Sequence, residues 1–263
     1  MPLWKNNVSF VLVEPREPAN IGASARAMKN MGFKALCLVK AAEINDEAQR
    51  LAHNALDVLE GAKHYACLNA AIDDKQLVVA VARRTGKRRG MTLPLDQAAQ
   101  RLYDVATKNK VALLFGREDR GLYNEEVNEC GLLLTIPANN EQPSLNLSHA
   151  VMVVAYALSR VPYSKQTVQV TPPQSRHRRS SLVTHGELDS LYGRIAKIIT
   201  LLDYIPRGDR NLEKQIMDNL KYFIGRAGLT YWEMKMLHGF CSQIELKLGN
   251  NKQPLNSTKK VQQ

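Results

Sequence analysis

No stretch of this chain sustains the roughly 18 consecutive apolar residues that a membrane-spanning helix needs. Met1 to Asn7 leads directly into a strand-like segment, without the apolar core of a signal peptide. Cysteine is scarce: Cys37, Cys67, Cys130 and Cys241 are far apart and match no paired metal-ligand spacing. A reduced, cytoplasmic protein with no membrane span and no cysteine-based metal site is therefore expected. The sequence also lacks the dinucleotide fingerprint GxGxxG and the phosphate loop GxxxxGK[ST], which argues against the common nucleotide-binding folds. Acidic residues are the remaining shortfall. Against 36 Lys and Arg stand only 25 Asp and Glu, a balance of +11, which points to an anionic partner, most often nucleic acid. A hydrophobic share of 44% with 23% charged residues excludes wholesale disorder.

The charge is uneven. Residues 1–160 hold 20 basic and 17 acidic side chains (+3), whereas residues 161–263 hold 16 and 8 (+8). Between Val161 and Gly186 there is no acid; Pro162, Pro172 and Pro173 accompany the cluster Arg176-His177-Arg178-Arg179, and the segment reads as a linker. The expected organisation is a domain over 1–160, a basic linker over 161–186, a helical extension over 187–249 and a polar tail over 250–263. In the first part, Val8–Val13, Ala35–Val39, Leu77–Ala82, Val111–Phe115 and Leu132–Ile136 are apolar runs of strand length. Helical patterns at Ala23–Met31, Ala48–Leu59 and Leu95–Lys108 separate them. Near-continuous apolar strands alternating with helices predict an α/β fold, a parallel sheet covered on both faces. Glu187–Leu202, Asn211–Phe223 and Tyr231–Leu248 carry helical spacing only, with starts expected at Asp209 and Thr230.

Four segments have the composition of ligand-contacting loops. Glu14 to Arg26 follows the first strand; Asn20 sits where a helix N-cap is expected, Gly22 keeps the first turn narrow, and Arg26 projects one turn in. Exposed amides at a helix start with a nearby arginine suit phosphate or ribose, although the segment by itself is more simply read as Asn20 capping the helix and Arg26 lying solvated on its surface. Phe115 to Leu122 places Gly116 and Gly121 around four consecutive charges, the form of a crevice loop or of an ordinary polar turn. Ile136 to Ser148 is rich in hydrogen-bonding side chains and enters a helix, with Ser144 or Asn146 as its cap. Arg83 to Arg89 packs five cations into seven residues beyond the fourth apolar run, which is either a solvated loop or one that faces phosphates.

Taken in order, Asn20-Ile21-Gly22 with Arg26, then Leu114-Phe115-Gly116-Arg117-Glu118 with Gly121-Leu122, then Ile136-Pro137 with Ser144-Leu145-Asn146-Leu147-Ser148, resemble the signature of the SPOUT class of RNA methyltransferases, in its ribose 2′-O branch. Leu188-Asp189-Ser190-Leu191-Tyr192-Gly193 and the later Leu237–Ile244 helix are similar to the extension of tRNA enzymes acting on nucleotide 32 of the anticodon loop. The resemblance implies a trefoil knot in the sheet, an exception to the rule against knotted chains. It also implies S-adenosylmethionine as cofactor, tRNA as substrate, no metal, and a homodimer whose sites use both subunits.

By position, the resemblance assigns cofactor contacts to Val81, Ala82, Arg83, Gly116, Ile136, Pro143, Ser144 and Leu145. Val81 replaces the small polar residue more usual there, which leaves its backbone as the contact. Catalytic roles fall to Arg26, Asn20, Glu118, Ser144 and Asn146, with Arg26 acting either as base or as a clamp on phosphate and the developing 2′-oxyanion. Arg84, Lys87, Arg88, Arg89, Arg176, Arg178 and Arg179 are expected to grip RNA phosphates. His149 reads as a helix residue rather than a ligand. The rivals are a ribosomal RNA methyltransferase of the same class, a base methyltransferase of that class, and a non-catalytic RNA-binding protein. Against the first weighs the start of the chain at its first strand, against the second the Asn20/Arg26 pair, and against the third the joint presence of Asn20, Arg26, Glu118, Ser144 and Asn146.

Overall fold

The computed structural model describes residues 3–82, 92–139, 141, 144–164, 182–202, 204 and 210–250. Seven strands, β1 (Val8–Val13), β2 (Ala35–Val39), β3 (Lys63–Tyr65), β4 (Leu77–Val81), β5 (Thr92–Pro94), β6 (Val111–Phe115) and β7 (Leu132–Thr135), form one sheet in the order β3-β2-β1-β6-β4-β7-β5. Every pairing is parallel. The five expected strands are present to within a residue. The two that the sequence did not announce are the edge strands β3 and β5, three residues each and half-buried or exposed, which leaves no apolar run to read.

Successive side chains on a strand point to opposite faces, so burial on both faces produces the unbroken apolar runs. On one face Phe10, Leu12, Leu36, Leu38, Val79, Leu113 and Phe115 join the main core with α1 (Pro18–Asn30), α2 (Asp46–Ala52), α5 (Leu95–Ala106) and α7 (Leu147–Ser164). Phe10 and Phe115 stack with centroids 5.9 Å apart, and Trp4 meets Tyr103 edge-on at 5.0 Å. The periodic stretch 48–59 is not one helix: it breaks at His53, whose φ is 49°, into α2, a 3-10 turn and α3 (Leu56–Glu60). Val11, Val13, Val39, Ala80, Leu114 and Leu133 point the other way, into a second core with residues of α4 (Leu68–Ile72) and α6 (Asn124–Asn128).

Three further helices, α8 (His185–Leu201), α9 (Arg210–Ala227) and α10 (Tyr231–Asn250), share a small core around Leu188, Leu191, Tyr192, Ile224, Met234 and Cys241. Reciprocal capping boxes start α8 (Thr184/Glu187) and α10 (Thr230/Glu233). Asp209 lies outside the described residues. α9 lies against the second face of the sheet. Tyr222 joins that core, and Gly225 meets Gly131 so closely that a Cβ on Gly131 would stand 2.3 Å from the Gly225 carbonyl carbon. Around this contact, Lys221 Nζ donates to Glu129 Oε1 at 2.9 Å and Asn128 Nδ2 donates to Asp218 Oδ2 at 3.0 Å. His185 Nε2 lies 3.2 Å from Glu129 Oε2, and the His185 amide donates to the Lys75 carbonyl at 2.8 Å. Asp189 brings a third potential metal ligand within 4.8 Å of Glu129 and His185, but the Lys221 ammonium already supplies that carboxylate with a cation. Among the described residues, no helix is long and apolar enough to cross a membrane.

Candidate active site at the carboxyl edge of the sheet

In an all-parallel sheet every strand leaves by the same edge, so the loops after β1, β4, β6 and β7 converge there. The loop after β6 folds back on itself: Arg117 and Gly121 exchange backbone hydrogen bonds of 3.2 and 2.9 Å. A Cβ on Gly116 would stand 2.1 Å from the Gly121 carbonyl carbon, and Gly121 itself has φ +68°, so both positions require glycine. Arg117 turns inward and is 3% exposed. Its guanidinium grips Glu126 bidentately at 3.0 and 2.9 Å, donates Nε to Glu14 Oε2 at 2.9 Å and lies 4.0 Å from the Tyr123 ring centroid. Burial works against its charge, but Glu126 and Glu14 outweigh that cost and its pKa is raised. Arg117 thus bolts the loop to the exit of β1. The expected site residues did not include it, although it stands inside the second motif and is a charge in a glycine-bounded loop.

Glu118, next in the chain, reaches the start of α1. Its carboxylate accepts from the Arg16 amide at 3.1 Å, the Glu17 amide at 3.3 Å and Asn20 Nδ2 at 3.0 Å. This corrects the expected role of Asn20. α1 begins at Pro18, a favoured first helical residue, and its N-cap is Glu17, whose side chain makes no capping bond. Asn20 lies within the first turn, and the capping carboxylate comes from Glu118 instead. The reason for Gly22 also changes: a Cβ there would stand 2.0 Å from the Ala48 carbonyl oxygen, so it serves the packing of α1 on α2.

Asn146 completes the arrangement. Its Oδ1 caps α7 by accepting from the Ser148 amide at 2.9 Å, while its Nδ2 donates to Asn20 Oδ1 at 2.9 Å. One hydrogen-bonded chain, Glu118–Asn20–Asn146, therefore joins the first turn of α1 to two loops that lie 98 and 126 residues further along the sequence. Arg26 is exposed on the same helix as Asn20 and makes no hydrogen bond or ion pair among the described residues. His149 is exposed in the first turn of α7.

Beside this chain lies a cavity of about 380 Å³, within the range of small-molecule sites. Val81, Ala82, Gly116, Ile136, Ser144 and Leu145, all expected to contact a cofactor, line it together with Phe115, Leu122 and Leu147. Arg117, Glu118, Asp119 and Arg120 line the same cavity, so apolar walls meet a rim that carries charges of both signs, a combination that suits a flat heterocycle with polar substituents. Arg83 and Pro143, and the RNA contacts expected from Arg84, Lys87, Arg88, Arg89, Arg176, Arg178 and Arg179, lie outside the described residues.

Residues 7–156 match the model of the SpoU rRNA Methylase family. The tRNA (cytidine/uridine-2'-O-)-methyltransferase TrmJ of Escherichia coli (strain K12) is 34% identical over 252 residues, covering 94% of this chain and 98% of that protein. The tRNA (cytidine-2'-O-)-methyltransferase TrmJ of Methanocaldococcus jannaschii is 39% identical over 155 residues, covering 57% of this chain and 66% of that one. The crystal structure of TrmJ from Z. mobilis ZM4 superposes with a TM-score of 0.72 at 28% identity, covering 90% of this chain and 98% of that one.

Proposed function

The chain belongs to the SpoU methylase family, among the TrmJ methyltransferases, and from that premise we propose that it methylates a ribose 2′-hydroxyl of tRNA, at nucleotide 32 of the anticodon loop. The observation that carries this reading is the Glu118–Asn20–Asn146 chain beside the cavity. It fixes the helix bearing Arg26 relative to the loops that would hold a cofactor. The apolar walls and the charged rim of both signs fit S-adenosylmethionine, whose sulfonium and ammonium are cationic and whose carboxylate is anionic; when bound it supplies a methyl on a cationic sulfur that departs as a neutral thioether.

The 2′-hydroxyl is a weak nucleophile and must be oriented and relieved of its proton. A guanidinium does not give up its proton in proteins, so Arg26 acts as the clamp on the adjacent phosphate and the developing 2′-oxyanion, and the 2′-proton passes to solvent water. Asn20, held from both sides, sets the direction of the first turn of α1, and Glu118 fixes that turn against the cavity. Asn146 and Ser144 do the same for the loop entering α7. The fold is proposed to contain the trefoil knot at the cavity loops, and two copies to form a cytoplasmic homodimer with shared sites. Arg83–Arg89 and Arg176–Arg179 are proposed to contact tRNA phosphates.

The test is incubation of bulk tRNA with methyl-labelled cofactor, followed by nuclease mapping of the labelled nucleotide. Label on the ribose of nucleotide 32 is expected; label on a base, or no label in tRNA, overturns the assignment. Arg26→Ala should lower kcat by about 10²–10³, as removal of an oxyanion donor does, with cofactor affinity unchanged.

A further inference from the structure

α10 is apolar on two opposite sides. Met234, Leu237, Cys241 and Ile244 pack inward against α8 and α9. On the outer side stand Trp232, Met236, Gly239, Gln243 and Leu246, with Phe240 alongside. Their 4-3-4-3 spacing is that of a coiled-coil seam, sustained for two heptads over roughly 21 Å of helix. Trp232 is 69% exposed, Phe240 60% and Leu246 58%, and a Cβ on Gly239 would meet nothing within 4 Å. A helix with apolar residues on two opposite sides can pack against a partner on each. Among the described residues, α10 has a partner on one side only.

We propose that the outer face of α10 packs antiparallel against α10 of a second copy of this chain, crossing at Gly239. The pattern is self-complementary. Trp232 and Leu246 each lie seven residues from Gly239, so an antiparallel crossing places each Trp232 against the other copy's Leu246, as a two-fold axis requires. The charges select the same direction. Lys235 and Lys247 are the only charged residues among the exposed described positions of α10. Parallel pairing sets each lysine against its own copy, whereas antiparallel pairing sets Lys235 opposite Gln243 and Lys247 opposite Tyr231. Gly239 lets the two backbones approach closely at the crossing.

An RNA occupant is disfavoured, because nucleic-acid affinity comes chiefly from phosphate contacts and no cation lies within the seam. Trp, Phe and Met are instead residues enriched at the centres of protein interfaces. A seam of this length buries less than the about 800 Å² per partner of a freestanding dimer. The contact therefore rests on the homodimer of the proposed function and acts as a second point of attachment within it.

The test uses the full chain with the exposed Cys67 replaced by Ser, the other cysteines being buried. Gly239→Cys should oxidise spontaneously to a covalent dimer. An equimolar mixture of Trp232→Cys and Leu246→Cys chains should cross-link, and Trp232→Cys alone should not. In sedimentation, Trp232→Glu should weaken dimerisation by about tenfold or more, as removal of an interface tryptophan does. A wild-type dimer without cross-linking at 239, or cross-linking of Trp232→Cys alone, overturns the proposal. So does a Trp232→Glu chain that stays fully dimeric and loses tRNA binding, which would assign the face to RNA. A wild-type chain that is monomeric overturns the homodimer reading, and this contact with it.

Discussion

At the scale of single residues, the loop after β6 divides its labour between neighbours. Arg117, Glu118, Asp119 and Arg120 are four consecutive charges with unlike fates. Arg117 is buried in a carboxylate grip, Glu118 caps a remote helix, and Asp119 and Arg120 face solvent. Sequence alone marks such a run as a loop but cannot say which charge turns inward, because that depends on Glu14 and Glu126 arriving from other elements. Arg117→Met would leave two carboxylates without their cation. Breaking a buried pair in this way costs about 3–5 kcal/mol, so a fall in melting temperature on the order of 10 °C is expected by scanning calorimetry. Arg117→Lys should recover only part of it, since an ammonium lacks the planar fork. Asn20→Ala should leave the fold intact and lower kcat with little change in cofactor affinity; an unchanged kcat would remove Asn20 from the machinery.

At the scale of elements, the strands that bury both faces were legible because burial writes an uninterrupted apolar run, and the breaks between helices were not. The 48–59 segment keeps helical periodicity through His53, yet its backbone turns left-handed there, a tertiary outcome that periodicity does not record. The contact of α9 with the sheet was equally silent, since it depends on Gly131 and Gly225, ninety-four residues apart, being small together. Gly225→Val should push α9 off the sheet and expose Tyr222 to solvent, measurable as faster amide exchange in α9.

Glu129 ties the same elements electrostatically. Burial pushes its carboxyl up, but the His185 imidazole 3.2 Å away and the hydrogen-bonded Lys221 ammonium outweigh this and hold it at about 2 against an ordinary 4.5. A depressed carboxylate stabilises above its unfolded value and loses that contribution as pH falls. The stability it provides, on the order of 3 kcal/mol, should therefore be complete above pH 4.5 and disappear towards pH 2. Glu129→Gln should flatten the acid limb of the unfolding curve over that interval.

At the scale of the whole molecule, the balance of +11 separates into a nearly neutral part carrying the cavity and a strongly basic remainder. Phosphate contacts position a nucleic acid without selecting the group that reacts, and in the proposed function that selection falls to the loops around the cavity. Neutralising Arg176, Arg178 and Arg179 together should weaken tRNA binding and reduce its salt dependence, with cofactor affinity unaffected in calorimetry. Equal losses of both would assign these charges to the fold. The ordered loop motifs were readable because each begins where an apolar run stops. Their joining into one hydrogen-bonded chain was not, because Asn20, Glu118 and Asn146 meet only once the sheet has aligned their strands.

That chain also sets a schedule for the newborn protein. The backbone of Glu17 waits for a carboxylate 101 positions downstream. At a ribosomal pace of roughly 5–20 residues per second, α1 spends roughly 5–20 seconds without its cap while the intervening chain is made. During that interval the helix bearing Arg26 has neither a fixed start nor a neighbour in Asn146. Translation order thus leaves the start of α1 uncapped until β6 and the loop that follows it have been made.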